Sequence, residues 1–154
     1  MPAFDSRLVK PKDQRCTMIV TKQELSIDGA EFSTLEEFYD QVSLRIIPGA
    51  AWGKNLDGFN DILRGGFGTP DEGFVLSWNN HEISKRQLGY DETVRQLQKR
   101  LERCHPSNIP SVENYLAEAL RHEGPTVFDW LIGIIRCHCP GGSEAADGIE
   151  LILR

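Results

Sequence analysis

The 154-residue chain has no apolar run near the roughly 20 residues needed to span a bilayer, so no membrane association is expected. Its opening stretch "MPAFDSRLVKPKDQR" lacks the apolar core of a secretory signal, which makes a cytoplasmic location the expectation. Cysteine is sparse: Cys16, Cys104, Cys137 and Cys139 are irregularly spaced, and without a secretory signal they read as reduced thiols rather than a disulfide framework. A net positive charge is missing too. The formal net charge is −6, which argues against nucleic acid as a direct ligand, because phosphate binding relies on clustered Lys and Arg. There is no internal repeat and no low-complexity tract.

Catalytic signatures are equally thin. The glycine-rich "GGFGTPDEGF" contains neither G-x-G-x-x-G nor a Walker Lys-Ser/Thr and reads as a turn. His81-Glu82 and His122-Glu123 are sequence neighbours whose side chains would leave a helix in different directions, and no serine or cysteine has a recognisable nucleophile setting. "CHC" at Cys137-His138-Cys139 invites a zinc reading with Cys104-His105, but zinc sites favour C-x2–4-C spacing. A disulfide between Cys137 and Cys139 would be strained. No cofactor or metal is expected.

What is present is a globular composition, 40% hydrophobic and 26% charged, in a length that suits one domain with its own core. Residues 1–15 read as a flexible polar tail and 16–154 as the domain. "CTMIV" and "ELSID" are strand candidates, and "STLEEFYDQVSLRI" starts a helix with Ser33 and Glu36 spaced as a capping box. "FVLSW" and the closing "IELIL" read as buried strands, and "NNHEISKRQLG" as a brief helix stopped by Gly89. Two helical patterns follow, through Val94, Leu97, Leu101 and Cys104 and through Val112, Tyr115, Leu116, Ala119 and Leu120, then a third in "TVFDWLIGIIR". Trp78 and Trp130 read as core or core-edge residues. Strands separated by helices predict an α/β domain with a small parallel sheet.

The segment "WGKNLDGFNDILRGG" carries the chemistry. Asn55 suits an N-cap and Gly65 a C-cap, giving a helix over Leu56–Arg64. With Leu56, Phe59, Ile62 and Leu63 inward, Asp57, Asn60 and Asp61 project together on the other side. Like charges at i,i+4 are unfavourable by a few tenths of a kcal/mol. The helix dipole excuses Asp57 in the first turn but not Asp61 near the end, which has no Lys or Arg at i±4. Two readings stay open: an ordinary solvated face, or an acidic surface, flanked by Trp52, built to meet arginines and lysines.

"IDGAEFSTLEEF", "WGKNLDGFNDIL", "FVLSW" and "IELIL" occur in the order and approximate spacing of the barstar family of intracellular ribonuclease inhibitors, which this chain resembles over about residues 24–88 and 125–154. The resemblance implies a three-stranded parallel sheet packed by helices, with a helical hairpin inserted at about 89–124. It also implies a protein that is not an enzyme. A second helix and the loop before it would plug the active site of a secreted, basic bacterial ribonuclease.

By position, Trp52 falls on an inhibitory-loop aromatic, and Asn55, Asp57, Asn60 and Asp61 fall at the nuclease interface. Asp61 would be the central anion in a phosphate subsite. The loop's second aromatic is Ala51 here, and Asn60 stands where barstar itself has a tryptophan. Gly133 aligns with an acid of the last helix, with Asp129 one turn away as a substitute. The rival readings are an immunity protein or antitoxin against another nuclease or toxin, a regulatory module without a nuclease partner, and a small metal-binding enzyme using the Cys/His cluster. The free protein is expected to be a monomer. Residues 85–105, with six basic and three acidic side chains, form a local +3 in an otherwise acidic chain that suits a basic partner.

Overall fold

Alternating apolar residues in three short segments build the sheet. In the computed structural model, which describes residues 22–154, β1 (Glu24–Asp28), β2 (Val75–Asn79) and β3 (Glu150–Leu153) are all parallel, in the order β1-β2-β3. The expected tail over 1–15 and the strand candidate "CTMIV" lie outside the described residues. Register pairs Leu25 with Leu76 and Leu76 with Leu151, and likewise Ile27, Trp78 and Leu153. Because strand side chains alternate, these six share one face, and the other carries Glu24, Ser26, Ser77, Asn79 and Glu150.

Parallel strands need crossovers, and helices supply them. α1 (Leu35–Arg45) and α2 (Leu56–Arg64) lie between β1 and β2. α3 (His81–Gln87), α4 (Tyr90–Arg103), α5 (Ile109–Leu120) and α6 (Val127–Cys137) lie between β2 and β3. The apolar faces of α1, α2 and α6 meet the sheet in one core that includes Phe38, Val42, Phe59, Ile62, Leu76, Trp78, Leu131 and Ile135. Trp78 is fully buried, stacked on Phe38 at 5.5 Å, and its indole Nε1 donates to Ser84 Oγ at 2.9 Å. A buried indole requires such a partner. The architecture is thus the α/β fold with a small parallel sheet that the sequence pattern predicts, with the three strands that the resemblance implies.

Three expectations shift. The N-cap of α1 is Thr34, one residue later than the Ser33 box: Thr34 Oγ1 accepts from Glu37 N at 3.1 Å, and Glu37 reaches back to Ser33 N at 2.8 Å. β3 is an edge strand paired only with β2, so it is half-buried rather than buried, and Ile149 just before it is the fully buried residue. Tyr115 and Leu120, read as part of an apolar stripe, are 52% and 62% exposed. α5 packs on α4 through a narrow seam of Val112, Leu116 and Ala119, and a two-helix hairpin covers no wider stripe. Among the described residues no helix is long and apolar enough to cross a membrane.

Candidate functional site

α2 is fixed at both ends by its own sequence. Asn55 Oδ1 accepts from Gly58 N at 2.6 Å, and Gly65, at φ 110, donates to the Asp61 and Ile62 carbonyls. Phe59, Ile62 and Leu63 are buried beneath it. The preceding loop is anchored by the buried Ile46 and Ile47 and by Trp52. The Trp52 indole Nε1 donates to Ser43 Oγ at 2.7 Å, its ring stands edge-on to Tyr39 at 5.5 Å, and it lies against Gly58. A Cβ at position 58 would sit 3.1 Å from Trp52 Cε3, so glycine lets the helix rest on the ring. Trp52 is therefore a half-buried strut joining loop, α1 and α2. Ala51 beside it is exposed.

The helix wheel divides the three expected outward residues. At 100° per residue Asp57 and Asp61 fall within the exposed arc, while Asn60 falls beside Leu56 and Leu63 at the edge of the apolar arc. Both aspartates are exposed. Asn60 is half-buried and turned sideways: its Oδ1 lies 2.7 Å from Nε2 of His138, a fully buried ring whose Nδ1 meets Asp147 Oδ2 at 2.6 Å. The structure thus keeps Asp57 and Asp61 together and takes Asn60 out of the outward group.

Asp61 also has a partner one residue closer than the i±4 positions. Arg64 Nη1 is 3.1 Å from Asp61 Oδ1, and Arg64 Nε donates to Glu144 Oε1 at 2.7 Å. The Arg64–Glu144 hydrogen bond raises the guanidinium above its ordinary range and holds the Glu144 carboxyl below the usual carboxylate range. Asp61 itself remains 57% exposed, so its pair with Arg64 is a surface pair that opens at small cost. The i+3 arginine was visible in the sequence, whereas Glu144 and His138, 80 and 78 residues from their partners, were not.

Asp129 is occupied elsewhere. Its Oδ2 accepts from Thr126 N at 2.9 Å in a capping box at the start of α6, while Gly133 faces open space. The Cys/His cluster does not assemble. Among the described residues the one group gathering potential metal-ligand atoms is His138, Glu144 and Asp147, without a cysteine, and both ring nitrogens of His138 already have partners. Burial, the larger effect, pushes the Cys139 thiol up, and Cys139 Sγ donates to the Ile135 carbonyl at 3.3 Å. His81 and Glu82 do approach, at 3.2 Å on the surface, while His122 stacks on Tyr90 at 5.0 Å.

Beside α2, Lys54, Asn55 and Asp57 line one side of a cleft of about 920 Å³, and Lys99, Arg100 and Arg103 of α4 line the other. Asp57 makes no ion pair among the described residues. The arrangement offers two carboxylates one helical turn apart on a helix that is capped, strutted and buried beneath. It offers no nucleophile–base pair.

A family model described as barstar (barnase inhibitor) matches residues 22–110, more than half of the chain. The match contains the loop and all of α2, and it runs on through α4, the first arm of the hairpin. No curated protein matches the chain.

Proposed function

The chain belongs to the barstar family, and on that premise we propose that it inhibits a secreted, basic ribonuclease by covering the active site with α2 and the loop before it. The observation that supports this reading is the pair Asp57 and Asp61, exposed on a helix whose conformation is already fixed. Carboxylates held in place accept charge-assisted hydrogen bonds with little further ordering, so binding energy is not lost to immobilising them. In this reading the two carboxylates stand where RNA phosphates would lie, and Asp61 meets the cations that bind the scissile phosphate. Asp61 then exchanges Arg64 for the partner's cations. Glu144 keeps Arg64 neutralised when this happens, so a positive charge is not left facing a basic enzyme. Inhibition is steric and electrostatic, and no bond is made or broken.

A second reading, an immunity protein against a different nuclease, draws on Ala51 and Asn60. The first presents no aromatic to a partner, and the second is turned toward His138. The contact set therefore differs from barstar's while the acidic pair stays.

The test is Asp61→Ala, melted and titrated against a panel of secreted ribonucleases that includes barnase. Stability should stay within about ±0.5 kcal/mol, as for other surface substitutions. Binding should weaken by about 2–5 kcal/mol, because truncation leaves desolvated partner cations unpaired, a range that comes from the family's own barnase–barstar pair. A variant that melts early yet inhibits fully would make Asp61 structural. A wild-type chain that inhibits no nuclease in the panel would overturn the reading.

A further inference from the structure

Two cavities meet at the N-terminal end of α2. The cleft of about 920 Å³ between α2 and α4 shares Leu56, Arg100 and Trp130 with a smaller cavity of about 330 Å³ that Tyr115 and Pro125 help to line. Together they form one groove between the acidic helix and the hairpin. Its floor is apolar: Leu56 and Trp130 are half-buried there, and Tyr115 stands at the rim, more than half exposed. Aromatic and arginine side chains in such a setting are the types that anchor protein interfaces.

Acids and bases nearly balance around the groove, where Asp57, Glu118 and Glu123 are further lining acids, but not every cation is ion-paired. Lys99 pairs with Glu36, and Lys54 with Asp40. Arg100 and Arg103 pair with no carboxylate among the described residues, and the Arg100 guanidinium lies 5.4 Å from the centre of the Trp130 ring. A guanidinium held over a ring and without an ion pair has N–H groups to spare, and these fit a carboxylate with two parallel hydrogen bonds. The last turn of a helix favours cations by its dipole alone, which accounts for arginines at this end of α4. The dipole does not account for an open apolar floor beside them. Because Asn55 and Asp57 line the same cleft, a protein seated on α2 overlies the groove.

We propose that this groove is a second contact with the nuclease bound by α2, and that it receives a loop of that enzyme carrying a carboxylate next to an apolar side chain. The proposal rests on the inhibitor reading above and adds to it. The partner presents cations to Asp57 and Asp61 and, alongside them, an anion to Arg100 and Arg103, so its contact surface is not uniformly basic. The hairpin thereby becomes a determinant of which nuclease is bound.

The sign of a charge reversal tests this. Arg103 is exposed and has no side-chain partner among the described residues, so Arg103→Glu perturbs folding least, and Arg100→Glu is the companion variant. The probe is barnase, together with any ribonuclease of the panel that the wild-type chain inhibits. Against a uniformly basic surface, added negative charge tightens binding. Against a carboxylate it weakens binding, and we expect about a tenfold rise in Kd for each arginine variant. Tyr115→Ala should weaken binding by about fivefold while melting like the wild type, as expected for a truncated exposed anchor. Arginine variants that bind equally or more tightly, while Asp61→Ala fails to inhibit, would overturn the groove and leave the inhibitor reading standing. Wild-type protein that inhibits no ribonuclease would overturn both. A fluorescent single-stranded RNA that binds the free protein and is lost on Arg103→Glu would overturn the groove as a protein-binding surface.

Discussion

His138 joins three segments far apart in the chain. Its ring bridges Asp147 and Asn60, Glu144 Oε2 lies 3.9 Å from Nε2, and Glu144 in turn holds Arg64 of α2. Replacing a fully buried ring removes partners from both Asp147 and Asn60, and a buried polar group left without one costs about 1–3 kcal/mol. His138→Ala should therefore lower stability by about 2–3 kcal/mol in urea titrations, and Asn60→Ala by less. A His138→Ala protein with an unchanged midpoint would remove the clamp from the account. Against a nuclease, Asn60→Ala should cost less than Asp61→Ala, because a neutral side chain leaves no charge unpaired. Any loss it does cause passes through the posture of α2.

At the scale of elements, α4 braces the fold. Glu92 is buried, and its Oε2 accepts from Leu35 N at 2.8 Å, the first backbone N–H of α1. The same carboxylate takes Arg95 Nε at 2.7 Å and Gln96 Nε2 at 2.9 Å. Thr93 Oγ1 accepts from Val127 N at 2.9 Å, the first N–H of α6. One helix thus caps two others, and helix N-termini always leave donors in need of such acceptors. The family resemblance implies a hairpin inserted at about 89–124, and an insertion of that kind is expected to leave the core folded, with some loss of stability, when it is removed. These contacts argue the opposite. Exchanging residues 90–123 for a Gly/Ser linker should abolish the near-UV circular dichroism and the cooperative melt. Glu92→Ala alone should cost about 2–3 kcal/mol, since it orphans a buried N–H. A deletion protein that still melts cooperatively near the wild-type temperature would return the hairpin to the periphery.

For the whole molecule, charge sets two measurable responses. An acidic surface meeting a basic enzyme implies association that is fast at low salt and slows steeply toward physiological ionic strength, as stopped-flow rates would show. A rate indifferent to salt would count against α2 as the docking surface. The second response is to acid. Burial acts to raise the Glu36 carboxyl, yet hydrogen bonds from Lys99, Gln96 and Arg95 outweigh it and hold it at about 2 against an ordinary 4.5. A carboxyl depressed on folding contributes stability that is complete above its unfolded value and is lost as pH falls through the folded one. Stability should therefore decline from about pH 4.5 toward pH 2. Glu24, Asp28, Glu37 and Glu144 are also lowered and act in the same direction. Glu36→Gln should flatten part of that slope in urea midpoints taken across the window. A slope identical to wild type would show that the Glu36 cluster adds nothing to acid sensitivity.

Much of this was legible in the sequence because it is decided within one helical turn or one strand. Asn55 and Gly65 bound α2 at Leu56–Arg64 through contacts three or four residues long, alternating apolar residues marked Glu24–Asp28, and the apolar run Phe74–Trp78 marked the strand Val75–Asn79 to within one residue. From those elements came the α/β class and the exposed Asp57 and Asp61. Local rules were already weaker where two neighbours were chemically equivalent: Ser33 and Thr34 are both good caps, and the extended backbone of Thr34 chose between them. They have no reach beyond that. Whether Asn60 faces solvent or His138, whether Arg64 answers to Asp61 alone or also to Glu144, and whether Glu92 is a surface acid or the cap of α1 depend on groups 57 to 80 residues apart in the chain. Packing of α1, α2 and α6 over one face of the sheet, with α4 against α1, brings those groups within hydrogen-bond distance, so only the tertiary structure decided them.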